Sequence, residues 1–221
     1  MSKKRIKYYT PDEIKQKRFN TIPLNGYFGD LLGQPERGFW LLIYARPKQG
    51  KSYLTTMLAN ALTEHLGPGA YWSCEEGVGY SVKRRLDTLG IDGRKLRFVT
   101  SSDKEDADRI IGSPANRFTV IDSPEHLGLS LSEAKDLFER YHKRKTVLLV
   151  QHVNSNGTAK GGIGWDHLVD IILQIERPYV HQAGRYGGAS KLLLPGETSA
   201  AAKPTLFNQE PTTNGYAKQE H

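Results

Sequence analysis

The chain has 221 residues, 38% of them hydrophobic, and its 31 Lys and Arg against 24 Asp and Glu leave a formal charge of +7. That length suits one α/β domain with polar ends, and the cation excess asks for an anionic partner. No stretch approaches the ~20 apolar residues of a membrane span, and no signal-peptide pattern opens the chain. Cys74 stands alone, which excludes an internal disulfide and a Cys-rich zinc site, so a cytoplasmic protein is expected.

Residues 1–18 hold Lys3, Lys4, Arg5, Lys7, Lys15, Lys17 and Arg18 against Asp12 and Glu13. They read as a basic arm, either a nucleic-acid contact or a solvated terminus. Residues 18–38 form a lead-in with short apolar groups between Gly and Pro.

The informative stretch follows. Phe39 to Ala45 is an apolar run short enough for a buried strand, and the loop after it is Ala45-Arg46-Pro47-Lys48-Gln49-Gly50-Lys51-Ser52, leading into Tyr53. This fits the phosphate-binding pattern [AG]-x4-G-K-[ST]. Gly50 lets successive N–H groups fold around a phosphate, Lys51 reaches the β- and γ-phosphates, and Ser52 ligates Mg²⁺. Tyr53, Leu54, Met57, Leu58, Ala61 and Leu62 then form one apolar stripe at helical spacing, closed by Gly67-Pro68. The positive end of that helix points at the same phosphates. ATP with Mg²⁺ is the expected ligand.

Gly69 to Cys74 reads as a second buried strand ending in Glu75-Glu76. Strand ends are where open α/β sheets bind ligands, so one of these carboxylates could polarise a water, or the pair could be an exposed turn. The spacing predicts a helix over Val78–Leu89, whose Lys83, Arg84 and Arg85 read as solvated surface. Leu96–Thr100 is a short strand, and Asp103–Ile111 a polar helix. Arg117–Asp122 is another apolar strand, with Asp122 placed to support Mg²⁺ opposite Ser52. Ser130-Leu-Ser-Glu133 is a capping box that starts a helix.

Thr146–Val150 reads as the centre of a parallel sheet and ends in Gln151-His152. Residues 154–164 are a Gly- and Asn-rich loop with one cation, Lys160. Trp165–Val169 reads as a helical turn and Asp170–Ile175 as a strand. Residues 177–190 look like a turn or hairpin loop, Lys191–Leu194 like an edge strand, and the polar remainder like a disordered tail. The alternation of strands and helices gives an α/β fold with a mainly parallel central sheet covered on both faces.

The order of these motifs resembles the RecA-like P-loop ATPase core, closest to the RadA/Sms branch and the replicative hexameric helicases. The phosphate loop and the stretch Gln151-His-Val-Asn…Gly157…Gly161…His167-Leu-Val-Asp170 carry the resemblance most specifically. It covers residues 18–176 and continues less specifically to 194, and implies an arm over 1–18, a core over 19–194 and a tail over 195–221. The resemblance implies Glu75 as the general base and Asp122 as metal support. It makes His152 the γ-phosphate sensor, and the loop bearing Asn154, Asn156, Lys160 and Gly161 the single-stranded DNA contact. It also implies a ring or filament, in which a basic pair reaches the neighbour's nucleotide. Here that pair is reduced to Arg185. The expected function is a DNA-dependent ATPase of helicase, replication or recombination type. The alternative is an ATP-dependent binding switch with little hydrolysis, which the thinned pair keeps open. Other P-loop classes fit less well. Ser123 follows Asp122 where AAA+ proteins carry an acid, and residues 177–190 make a poor Arg-rich kinase lid. Without the family's zinc, protease-like or primase-binding modules, a stand-alone core of a phage or plasmid is expected.

Overall fold

A computed structural model describes residues 6–154 and 157–197. Its centre is an eight-stranded sheet in the order β3-β2-β4-β5-β1-β6-β7-β8. The strands are β1 (Trp40–Ala45), β2 (Gly69–Ser73), β3 (Leu96–Val99), β4 (Phe118–Asp122), β5 (Thr146–His152), β6 (Ile171–Glu176), β7 (Tyr179–Gly184) and β8 (Lys191–Leu193). From β3 to β6 every neighbour pairs in parallel, and β7 and β8 then extend the edge in antiparallel fashion.

Period two in the strands explains why both faces are covered. Along β1, Trp40, Leu42 and Tyr44 enter one apolar cluster, while Leu41, Ile43 and Ala45 enter the other. Helices α2 (Gly26–Leu32) and α3 (Lys51–His65) seal the second face, and α5 (Asp106–Gly112) and α6 (Leu131–Tyr141) the first. The capping box of α6 forms as read: Ser130 Oγ accepts from the Glu133 N–H (3.2 Å), and Glu133 Oε2 accepts from the Ser130 N–H (2.8 Å).

Several local expectations need correction. The arm contains a short helix, α1 (Pro11–Gln16), started by a Thr10–Glu13 capping box. None of its residues is buried, so no apolar stripe announced it. The lead-in contains α2, whose Leu31 and Leu32 are fully buried. Gly33 ends it at φ +68, and a Cβ there would meet the Tyr186 carbonyl oxygen at 2.2 Å, so the strand-connecting loop lies directly on the helix end. The helix expected from Val78 begins at Tyr80, forming α4 (Tyr80–Leu89). Residues 177–190 contain a true strand, β7. Its only buried residue is Val180, and backbone pairing with β6 defines it. The expected turn starts two residues early, over residues 163–168, where the His167 N–H donates to the Ile163 carbonyl at 3.4 Å. Most of the expected tail, residues 198–221, lies outside the described residues, as do Lys3, Lys4, Arg5 and Asn156.

At the N-terminal edge of the parallel strands Asp170 ties three elements together. Its Oδ2 accepts from the Trp40 N–H and meets His142 Nε2, both at 2.9 Å, and its Oδ1 lies 3.5 Å from Arg185 Nη1. A buried acceptor serving the start of β1 and the end of α6 is costly to remove. Asp170→Ala is expected to lower unfolding stability by about 2–4 kcal/mol. Breaking the exposed Lys83–Asp87 pair should cost under about 0.5 kcal/mol. Urea titration of both variants checks the contrast.

Candidate functional site

Residues 46–50 leave the end of β1 and turn sharply into α3. Lys48 and Gly50 both take left-handed backbone (φ +64 and +91), and Gly50 is the N-cap of α3. At Gly50 a Cβ would also press on Leu194 at 3.0 Å. The first N–H groups of a helix lack intrahelical partners, so the turn presents them to whatever lies above the loop.

Lys51, at 7% exposure, opens α3 and carries its ammonium into a cluster from three other strand ends. Nζ lies 3.7 Å from Asp122 Oδ1, 3.8 Å from Glu75 Oε2 and 3.5 Å from His152 Nε2. His152 Nε2 in turn stands 3.2 and 3.1 Å from the two Glu75 oxygens. A carboxylate only accepts, so the contact with Glu75 is a hydrogen bond in the tautomer that carries its proton on Nε2. Burial raises the Glu75 carboxyl, but the His152 hydrogen bond and the Lys51 charge outweigh it and hold the group below its ordinary 4.5. Glu75 is therefore ionised at neutral pH. Its backbone is fixed as well: the Cys74 and Glu75 N–H groups both donate to the Asp122 carbonyl, at 2.8 and 3.1 Å.

Asp122 ends β4 and is nearly fully buried. Desolvation raises its carboxyl above the usual value, with Lys51 and the Tyr71 hydroxyl opposing. Tyr71 donates to Oδ2 at 2.8 Å, whereas Oδ1 is buried without a hydrogen-bond donor. Oδ1 lacks a donor and Ser52 lines the cavity above the loop, and a carboxylate oxygen with a hydroxyl is a donor set that a hydrated divalent cation accepts. Ser52 and Asp122 are the residues that would hold Mg²⁺.

The cavity over the loop measures about 700 Å³, within the range that accepts a nucleotide. Arg46, Pro47, Lys48, Gly50, Lys51, Ser52 and Tyr53 line one side. Ala45 closes the end of β1 beneath them, and Gln49 turns away to accept the Arg177 N–H at 3.1 Å. The opposite wall is α4: Lys83 and Arg84 are exposed, as read, but Arg85 is not simple surface. Ser81 and Arg85, like Arg84 and Thr88, are four apart and share a helix face, and that face looks into the cavity with Tyr80. The i, i+4 spacing was the available signal, masked by the run of charge. The Arg85 side chain is 11% exposed and grips Glu76 with two nitrogens, at 3.0 and 3.4 Å. The two adjacent carboxylates thus have separate partners: Glu75 faces Lys51 and His152, and Glu76 faces Arg85.

After His152 the described residues on either side of 155–156 lie close together. Val153 bridges to Ala159, and the Asn154 side chain holds Thr158 through Nδ2 to Oγ1 at 2.7 Å. The Lys160 N–H donates to the His152 carbonyl at 2.8 Å, which ties the loop to the site, while its ammonium pairs with Glu125. Gly161 lies against the edge of the Trp165 indole. Arg185 is elsewhere. Gly184 pairs with Ile171 at the start of β6, so Arg185 stands at the opposite edge of the sheet from the phosphate loop.

No protein-family model matches the chain. Similar curated proteins are the DNA repair protein RadA of Brucella abortus (29% identical over 158 residues, 63% of this chain and 34% of that one) and of Bacillus subtilis (28% over 165 residues, 68% and 36%). RadA of Treponema pallidum is 26% identical over 150 residues, 62% of this chain and 32% of that one. The chain spans about a third of the length of these relatives. Among solved structures, a KaiC-like protein from Pyrococcus horikoshii superposes with a TM-score of 0.60 at 17% identity, over 80% of this chain and 99% of that chain. The fold is that of a RecA-like P-loop NTPase, and the sequence is near RadA.

If Arg85 serves to neutralise Glu76, freeing that carboxylate should repel an anionic ligand. Arg85→Gln is expected to weaken binding of a non-hydrolysable ATP analogue about tenfold, and Glu76→Gln in the same chain to restore most of it. Calorimetric titration of the single and double variants measures this. Equal losses in both would mean that Arg85 touches the nucleotide itself.

Proposed function

We propose that the chain is an Mg²⁺-dependent ATPase whose turnover is coupled to single-stranded DNA. The observation that carries this reading is the convergence of Lys51, Glu75, Asp122 and His152 on one point above the phosphate loop. The turn at Lys48–Gly50 and the start of α3 cradle the phosphates, and Lys51 takes charge from the β- and γ-oxygens. Ser52 and Asp122 would hold Mg²⁺, which would supply charge neutralisation at the phosphates. Glu75, ionised and aimed by His152 and Lys51, orients the attacking water and accepts its proton.

His152 is the natural reporter of the γ-phosphate, because its ring touches Glu75 while its carbonyl holds the Lys160 N–H. The DNA assignment draws support from the similarity to RadA, a DNA repair protein by name, from the basic arm and from the loop that His152 anchors. Lys160, Gly161 and Asn154 would face the strand, with Lys160 exchanging Glu125 for a phosphate. Arg185 is too far across the sheet to serve its own site and would act on a neighbour in a ring or filament of helicase or recombination type. That placement also favours a second reading, a slow ATP-dependent switch that needs its neighbour to hydrolyse.

Glu75→Gln is expected to lower kcat by at least about a hundredfold, with ATP-analogue affinity kept within about threefold. Phosphate release and equilibrium binding check this. The same effect from Glu76→Gln would transfer the base role to the neighbouring residue. For the loop, Lys160→Ala should lower the slope of log affinity for single-stranded DNA against log salt by about one. An unchanged slope in a salt titration would remove Lys160 from the DNA path.

A further inference from the structure

The end of β5 serves both faces of the sheet. His152 turns toward Lys51 and Glu75, and Gln151, one residue earlier, turns to the other face. There Leu129, Leu131 and Trp165 wall a second cavity of about 330 Å³. Gln151 is 2% exposed, lines this cavity, and has its side-chain oxygen buried with no hydrogen-bond partner. A buried acceptor left unpaired pays a desolvation penalty, which a donor in the cavity would relieve once the Gln151 amide turns its oxygen toward it. Lys160 and Glu125 stand at the rim, paired with each other.

These features sort by chemistry. The volume lies at the small end of ligand pockets, about 300–1,000 Å³, which suits a flat heterocycle and excludes a second nucleoside triphosphate. Apolar side chains surround a ring system, an orphaned amide oxygen asks for a donor, and a cation at the mouth suits an attached phosphate. The exocyclic amine of adenine or cytosine supplies such a donor, and side-chain amides are standard partners for adenine.

We propose that this cavity receives one base of the bound single-stranded DNA. The Gln151 oxygen accepts from the base amine, Leu129, Leu131 and Trp165 enclose the ring, and Lys160 leaves Glu125 for the adjoining phosphate. Gln151 and His152 then read two ligands from opposite sides of one strand end: a base on one face, the nucleotide phosphate on the other. This rests on the reading of the chain as a DNA-binding ATPase and adds a base-recognition site to it.

The test compares equal-length oligo-dC strands with and without internal abasic sites, by fluorescence anisotropy on the full chain. The unmodified protein is expected to bind the base-bearing strand about tenfold more tightly. Gln151→Leu should bring that ratio to within about twofold. Leu131→Phe, which fills the cavity from a partly exposed position, should do the same and stands in should Gln151→Leu fail to fold. A ratio that persists in both variants, or that is absent from the unmodified protein while both strands bind, overturns the base site alone. Failure to bind either strand overturns the DNA reading and the base site together.

Discussion

The site depends on one buried ammonium. Lys51 is held at 7% exposure, and an isolated charge so far out of water would be lost to neutralisation unless opposite charges surrounded it. Asp122 and Glu75 lie within 4 Å, with His152 beside them. Each comes from a different strand end, so the requirement to compensate Lys51 also fixes how β2, β4 and β5 terminate around the phosphate loop. The same compensation leaves Glu75 ionised and Asp122 with one unsatisfied oxygen, the two conditions that water activation and metal binding need.

The parallel sheet separates chemistry from anchorage by its two edges. At the C-terminal edge the strands stop in Ala45, Ser73, Asp122 and His152, aligned by register: Ser73 opposite Asp122, Ala45 opposite His152. At the N-terminal edge Asp170 binds Trp40, His142 and Arg185. In the stretch that carries the resemblance to RadA, His152 and Asp170 therefore sit at opposite ends of the sheet, one beside the nucleotide cavity and one in structural support. Between them Val153 bridges to Ala159, and one backbone hydrogen bond joins the Lys160 N–H to the His152 carbonyl.

What could be read from residues alone follows burial. Strands β1, β2, β4 and β5 are apolar on both faces, and their continuous runs were plain, as was the phosphate loop with its helix. Strand β7 buries Val180 alone and depends on its neighbour's backbone, which leaves no pattern to read. Helix α1 is exposed throughout, and only its Thr10–Glu13 box marked it. The charge run Lys83–Arg85 concealed that α4 turns Arg85 inward, onto Glu76. No residue pattern distinguishes Glu75 from Glu76; their different partners, His152 and Arg85, arise from tertiary placement. The Glu125–Lys160 pair and the cavity beneath it also depend on how the loop folds back, which composition does not encode.

The most direct measurement is steady-state ATP turnover by the full chain with Mg²⁺, in the absence and presence of single-stranded DNA, beside binding of a non-hydrolysable analogue. Measurable phosphate release that rises severalfold with DNA is expected from a site built around Lys51 and coupled through His152 to the adjoining loop. Analogue binding with no phosphate release in either condition would contradict the motor and leave the switch.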